Sequence, residues 1–193
     1  MAEENLNINC EILVVSGSAG SLEVLLKLLT NLKSSIGFAI VIVLHRKNTH
    51  DSTLLDLLSS KTKMPVWEVE DKNSLLPGNI YIAPPDYHLL VENDRTFSLD
   101  ASEKINFSRP SIDVTFDSIA DVFKSKAIAI LLSGANSDGT EGLRCIKKNG
   151  GTTIVQQPES AQVPFMPQHA ISHADIDYVL NPQEMVDFIN SLT

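Results

Sequence analysis

Three short stretches of this chain carry residues whose types could together do nucleophilic chemistry. Val14-Val15-Ser16-Gly17 leads into Ser18-Ala19-Gly20-Ser21, Leu44 leads into His45, and Leu132 leads through Ser133-Gly134-Ala135-Asn136-Ser137 into Asp138. A serine, a histidine and an aspartate in one site perform acyl transfer. The imidazole takes the hydroxyl proton, while the carboxylate fixes its tautomer and stabilises its charged form. Taken singly, each residue has a plainer reading. A Gly/Ser turn after a first strand is often only a turn or a phosphate cradle, and a histidine at a strand end is most often structural. Asp138, just before Gly139-Thr140, has the position of a turn former or helix cap. Position joins the three. Each follows an apolar run, and in an open parallel sheet ligand sites gather outside the carboxyl ends of the strands.

The elements that must hold these residues follow from hydrophobic period. Ile12 to Val15, Phe38 to Leu44 and Ala127 to Leu132 are unbroken apolar runs, as expected of strands buried on both faces. Leu22, Val24, Leu25, Leu28, Leu29 and Leu32 repeat at helical spacing and predict a helix over 21–31. It starts directly after the serine turn, where free N–H groups favour developing negative charge. Leu54, Leu55, Leu57 and Leu58 mark a second helix after the polar loop 46–52, and a short strand begins near Val66-Trp67. Pro77-Gly78-Asn79 and Pro84-Pro85-Asp86 bracket a strand at 80–83, and a hairpin is expected over 88–99 with Glu92-Asn93-Asp94-Arg95 at its tip. Helices are predicted at 112–123, 140–148, 168–174 and 182–192, with strands at 152–156 and 178–180. Strands alternating with helices predict one α/β domain over 11–193, a three-layer doubly wound and mainly parallel sheet with an antiparallel hairpin, after a short lead-in at 1–10.

Composition narrows the function classes. The 193 residues are 43% hydrophobic and 20% charged, enough for one sizeable core, and the net charge is −9. The 15 basic residues are scattered, which argues against nucleic-acid binding, since phosphate backbones need concentrated Lys/Arg. The acidic, polar start is unlike a signal peptide and no apolar run has membrane-spanning length, so a soluble cytoplasmic protein with no membrane insertion is expected. Cys10 and Cys145 have no metal-like spacing; Cys145 is expected in core packing. His169 and His173 stand i, i+4 on a predicted helix, a geometry that can bind zinc, but no third ligand is evident and a solvated or substrate-facing helix is the expectation. No metal is expected. His50, in a polar loop, is a weaker candidate for a catalytic base than His45.

The chain order Ser, His, Asp departs from the Ser, Asp, His of α/β-hydrolases, and Ser16 stands where a G-x-S-x-G elbow would have glycine. The motifs instead resemble the catalytic domain of CheB-type protein-glutamate methylesterases. Ser16-Gly17-Ser18-Ala19-Gly20-Ser21 is similar to that family's serine turn, and Val41-Ile42-Val43-Leu44-His45 to its strand ending in histidine. Tyr81 to Leu90, Arg109-Pro110-Ser111-Ile112-Asp113, Leu132 to Leu143, Gln157 to Ala161 and Met166-Pro167 with Ala170-Ile171 continue the likeness, in order, over about residues 11–190. The resemblance implies hydrolysis of glutamate γ-methyl esters on chemoreceptors, with deamidation of receptor glutamines as a second activity and no cofactor. By position it implies Ser18 as nucleophile, His45 as base and Asp138 as orienting carboxylate, with the main-chain N–H groups of His45 and Ala135 as the oxyanion hole.

Departures bear on substrate more than on chemistry. Ser16 and Ser21 replace glycines usual in the family, Leu44 replaces a polar residue, and Tyr87 and Gln168 stand where many members carry arginine. About ten residues precede the first strand, fewer than a receiver domain needs; a separate regulatory receiver protein, a stand-alone enzyme and a fragment of a longer chain are the readings this leaves. Two alternatives of other classes stand beside the hydrolase. One is a nucleotide-binding module, disfavoured because the turn lacks a P-loop lysine and a G-x-G-x-x-G pattern. The other is a catalytically weak or inactive regulatory adaptor with the same fold.

Overall fold

The computed structural model describes residues 8–46 and 53–192. In chain order the elements are β1 (Ile12–Gly17), α1 (Ser21–Asn31), β2 (Ala39–Leu44), α2 (Thr53–Ser59), β3 (Val66–Glu68), β4 (Ile80–Ile82), β5 (His88–Val91), β6 (Phe97–Asp100), α3 (Ile112–Phe123), β7 (Ala127–Leu131), α4 (Thr140–Lys148), β8 (Thr152–Gln156), α5 (Phe165–His173), β9 (Tyr178–Leu180) and α6 (Pro182–Ser191). Seven strands form one sheet in the order β3-β4-β2-β1-β7-β8-β9, and every neighbouring pair is parallel. The β5–β6 hairpin is antiparallel and forms a sheet of its own.

The unbroken apolar strands are explained by a core on each face. Leu13, Val15, Ile40, Ile42, Ile128 and Ile130 pack with residues of α1, α2 and α6, while Val14, Val41, Val43, Ala129 and Leu131 pack with residues of α3, α4 and α5. Successive residues of one strand therefore face different helix layers, which leaves few positions for a polar side chain; Ser16 at the end of β1 is one, buried with its hydroxyl unpaired among the described residues. The hairpin extends the second layer. Leu89, Val91 and Phe97 join the cluster of Phe116 and Ile119, and Thr115 Oγ1 on α3 donates to the Leu89 carbonyl at 2.8 Å. The three layers, the parallel sheet and the hairpin agree with the expected fold class.

Two local differences have clear causes. The structure starts α5 at Phe165, ahead of the expected Gln168, because Pro167 lies in the first helical turn, where its missing N–H costs nothing. β1 runs on through Ser16 and Gly17, since both still serve as ladder acceptors: Leu132 N donates to Ser16 O at 2.8 Å and His45 N to Gly17 O at 3.1 Å. Cys145 is half-buried against the α3–α4 core as expected, and both thiols are free. His50 and most of the lead-in lie outside the described residues. No helix among the described residues is long and apolar enough to cross a membrane.

Candidate active site

β1 lies between β2 and β7 in the sheet, and the chain, having built outward on the β2 side, returns to start the other side at β7. That is a topological switch point, where loops at the carboxyl ends of adjacent strands part and leave a crevice. Ser18, His45 and Asp138 follow the three strands around it. Sheet register fixes how close the first two come. Gly17 pairs with Leu44, so Ser18 and His45 leave neighbouring strands at the same level.

The serine turn is held on all sides by main-chain bonds. Ser18 N donates to Ser133 O at 2.9 Å, which ties the turn to the loop after β7, and Ser133 Oγ donates to Ala19 O at 2.7 Å. Ser21, in a position where glycine was expected, has a use: its N–H and its hydroxyl both donate to Ser18 O, at 3.1 and 2.6 Å. Gly17 is required by proximity, because a Cβ there would lie 2.6 Å from Ser21 Cβ; Gly20 is required by conformation, with φ +79°. On its other flank Ser18 shares space with Met166. A Cβ on Gly134 would stand 3.1 Å from Ser18 Cβ and 2.5 Å from Met166 Cε. The Ser18 hydroxyl makes no hydrogen bond among the described residues and stays half-exposed, as a nucleophile awaiting a substrate would be.

His45 and Asp138 meet directly. His45 Nε2 donates to Asp138 Oδ2 at 2.8 Å, with Asp138 fully buried. Since an ionised carboxylate only accepts, the proton must sit on Nε2, which leaves the lone pair on Nδ1. Nδ1 is therefore the basic nitrogen of this site. It faces the Ser108 hydroxyl at 3.4 Å, and that hydroxyl accepts from Asn136 Nδ2 at 3.2 Å.

Asp138 stays charged in a buried place because a helix end receives it. Ile112 N and Asp113 N, the first N–H groups of α3, donate to it at 2.7 and 3.1 Å, and Ser111 Oγ donates at 2.9 Å. Burial pushes the Asp138 carboxyl up, but the hydrogen bonds from His45 and from Ile112 N outweigh it and hold the group below its ordinary value. The arrangement is reciprocal. Asp113, in the first turn of α3, accepts from Gly139 N at 2.9 Å and Gly142 N at 2.7 Å, capping α4. Each of the two helices thus has its orphan N–H groups met by an aspartate from the other segment, and neither N-cap residue (Ser111 or Gly139) makes a side-chain cap bond of its own. Asp113 is less well served. Burial and the Asp138 charge push its carboxyl up to about 6, against the opposing Gly142 N–H.

Ser111, Asp113, Ser108 and Asn136 were not singled out from sequence. Their signal lay in Arg109-Pro110-Ser111-Ile112-Asp113, which reads equally well as an ordinary acidic, proline-started helix entry. The same holds for His88. It is buried at 1% exposure, its Nδ1 accepts from Ser111 N at 3.1 Å and its Nε2 donates to the Glu103 carbonyl at 2.9 Å, so it braces Ser111 from below.

For a developing oxyanion the free main-chain donors matter. The Ala135 N–H, expected to serve, has no partner among the described residues, and neither has the Ala19 N–H beside the serine. The His45 N–H, also expected to serve, is already committed to Gly17 O. It is used by the sheet ladder, so the expected pair of donors is not jointly free. His169 and His173 do come together, with rings stacked at 4.1 Å, but His169 Nδ1 pairs with Thr140 Oγ1 at 3.0 Å and His173 Nδ1 donates to His169 O at 2.8 Å. No group of three metal-ligating side chains forms among the described residues.

Residues 13–189 match the family profile described as CheB methylesterase. A Leptospira interrogans protein, provisionally named protein-glutamate methylesterase/protein-glutamine glutaminase, is 41% identical over 180 residues, covering 93% of each chain. The Thermotoga maritima protein-glutamate methylesterase/protein-glutamine glutaminase is 35% identical over 189 residues, which span 94% of this chain and 55% of that one. The crystal structure of the Thermotoga maritima CheB methylesterase catalytic domain superposes with a TM-score of 0.90 at 36% identity, covering 95% of this chain and 99% of that domain.

Proposed function

The chain belongs to the CheB methylesterase family, and from that premise we propose that it hydrolyses glutamate γ-methyl esters on methyl-accepting chemotaxis receptors in the cytoplasm, through a Ser18–His45–Asp138 mechanism. The observation that carries the reading is the 2.8 Å bond from His45 Nε2 to the ionised Asp138, which leaves Nδ1 as the base at a strand end beside Ser18. Ser18 Oγ attacks the ester carbonyl while His45 Nδ1 takes its proton. Asp138 stabilises the resulting imidazolium, and the Ala135 N–H, together with that of Ala19, meets the oxyanion. The imidazolium then gives its proton to the departing methoxide, releasing methanol. Water repeats the sequence on the acyl-enzyme and frees glutamate. With a glutamine substrate the leaving group is ammonia. A methyl ester is already an activated acyl group, so these residues suffice for the chemistry without a cofactor. A separate receiver protein is the proposed regulator.

The test is methanol release from methylated receptor membranes by the wild-type protein and by Ser18→Ala. Loss of the nucleophile is expected to lower turnover by about a millionfold. Because the Ser108 hydroxyl also stands within 3.4 Å of Nδ1, the assignment requires that a fluorophosphonate probe still label the Ser108→Ala protein, and at Ser18. Ser18→Ala releasing methanol at the wild-type rate refutes the mechanism; receptor binding without labelling identifies the inactive adaptor instead.

A further inference from the structure

Beyond His45 the crevice changes character. A cleft of ≈ 350 Å³ continues from His45 and Ser108, and its other lining residues are Arg46, Lys104, Arg109, Phe107 and Asp86. Three cations face one carboxylate in a chain whose net charge is −9. The cations differ in how far they are already used. Arg46 Nη2 pairs with Glu68 Oε2 at 2.5 Å. Arg109 is anchored rather than neutralised: Nη1 donates to the Ala101 and Ser102 carbonyls at 2.8 and 2.6 Å, which fixes its guanidinium without cancelling its charge. Lys104 is exposed and makes no hydrogen bond or ion pair among the described residues. The Nε atoms of Arg46 and Arg109 are both buried and have no hydrogen-bond partner among the described residues. Those two Nε atoms are closed to solvent, so what the cleft presents to an occupant is the anchored Arg109 charge and the unpaired Lys104 ammonium, which no acceptor among the described residues binds. Phe107, 98% exposed, stands at the rim as an apolar edge on which a polypeptide can rest.

We propose that this cleft is a carboxylate subsite that takes an acidic side chain of the polypeptide substrate, next to the esterified glutamate. This rests on the esterase reading above. The cleft shares His45 with the reacting centre, so its occupant lies about one turn of a helical substrate away, at three or four residues' spacing. A carboxylate suits the donors, since an anchored guanidinium and an ammonium recognise it by charge-assisted hydrogen bonds. The surrounding field makes the subsite necessary. A protein of net charge −9 repels an acidic segment at long range, and a local cationic cleft is what reverses that at contact. It also offers basic contacts that do not depend on Tyr87 or Gln168, the positions where many family members carry arginine.

The experiment compares two methylated helical peptides, identical except for Glu or Gln four residues from the methyl-glutamate. Their hydrolysis is followed as methanol release by the full chain and by Lys104→Glu. For the wild type, KM for the Glu peptide is expected about fivefold below that for the Gln peptide at low salt, with kcat unchanged and the preference fading as ionic strength rises. Lys104→Glu should erase or invert the preference and leave kcat on the Gln peptide unaltered. Equal KM values for the two peptides with the wild type, or an undiminished preference in Lys104→Glu, overturn the subsite. If the wild type hydrolyses neither peptide, the esterase reading has failed separately. Fluorescence anisotropy with the same two peptides then decides the subsite: tighter binding of the Glu peptide, lost in Lys104→Glu, sustains it, and equal binding ends it.

Discussion

Asp113, half-buried, and Asp138, fully buried, are two carboxylates at the same helix start, and they differ in how well each is compensated. Asp138 collects the imidazole, a hydroxyl and two α3 N–H groups. Asp113 collects two N–H groups of α4 and the Asn106 amide, and sits beside the Asp138 charge. The result is a carboxyl raised to about 6 next to one held below its ordinary value. The sign of the stability effect follows. A native-state value above the unfolded one means that the folded protein binds more protons between about pH 4 and 6, so Asp113's contribution is present at the acid end and is lost as pH rises through 6. Asp138 acts oppositely: its contribution is complete above the ordinary carboxylate range and is lost as pH falls from there through its lowered value. In Asp113→Asn the amide oxygen can still cap α4 while the charge is gone. Urea midpoints measured from pH 4.5 to 7 should therefore fall with pH for the wild type and stay flat for the variant. Parallel curves would show that Asp113 does not carry this slope.

At the scale of elements, two glycines separate what holds the site from what holds the fold. Gly134 lies between Met166 and Ser18, and Gly142, in the first turn of α4, faces α3, where an added Cβ would meet Phe116 Cβ at 2.5 Å and Asp113 Cα at 3.1 Å. Gly134→Ala can be absorbed on one side by the thioether but not by Ser18 Cβ, so esterase turnover should fall by more than about tenfold with a small change in melting temperature. Gly142→Ala presses two helices apart and should cost about 2 kcal/mol of stability. Thermal melts and initial rates on both variants check this; equal stability losses would mean the two contacts are not distinct. The elements themselves were largely readable in the sequence. Apolar runs marked β1, β2 and β7, and a period of 3.6 marked α1 and α3, because burial on two faces or one face leaves those patterns. Ser18, His45 and Asp138 stood out because each follows such a run, and the structure brings His45 and Asp138 into direct contact. The exchange of caps between α3 and α4 was not, since Asp113 and Asp138 each look like a local turn or cap residue, and only the fold reveals that each serves the other's helix. The commitment of the His45 N–H to Gly17 O was hidden for the same reason: it depends on how far the β1–β2 ladder runs, and small residues such as Ser16 and Gly17 do not announce a strand.

For the molecule as a whole, the site hangs from the middle of the sheet. β2, β1 and β7 are neighbours, their residues are buried on both faces, and each carries one of the three residues on its outgoing loop. The margins differ: β3 and β9 are three residues long, and several of their side chains are exposed. Opening at an edge breaks few buried contacts, whereas separating β1 from β2 or β7 dissolves both helix layers at once, because Leu13 and Val14 on adjacent positions of β1 belong to different cores. The geometry of Ser18, His45 and Asp138 should therefore persist until the protein unfolds globally. In a urea titration, loss of ester hydrolysis and loss of far-ultraviolet circular dichroism should coincide. Native-state hydrogen exchange should show the amides of β1, β2 and β7 opening only by global unfolding, and those of β3 and β9 opening at lower free energy. Activity lost well before the helical signal would mean that the serine turn or the loop after β7 unfolds on its own, and that the main-chain bonds from Ser18 N to Ser133 O and from Met166 N to Gly134 O are too weak to couple the site to the sheet.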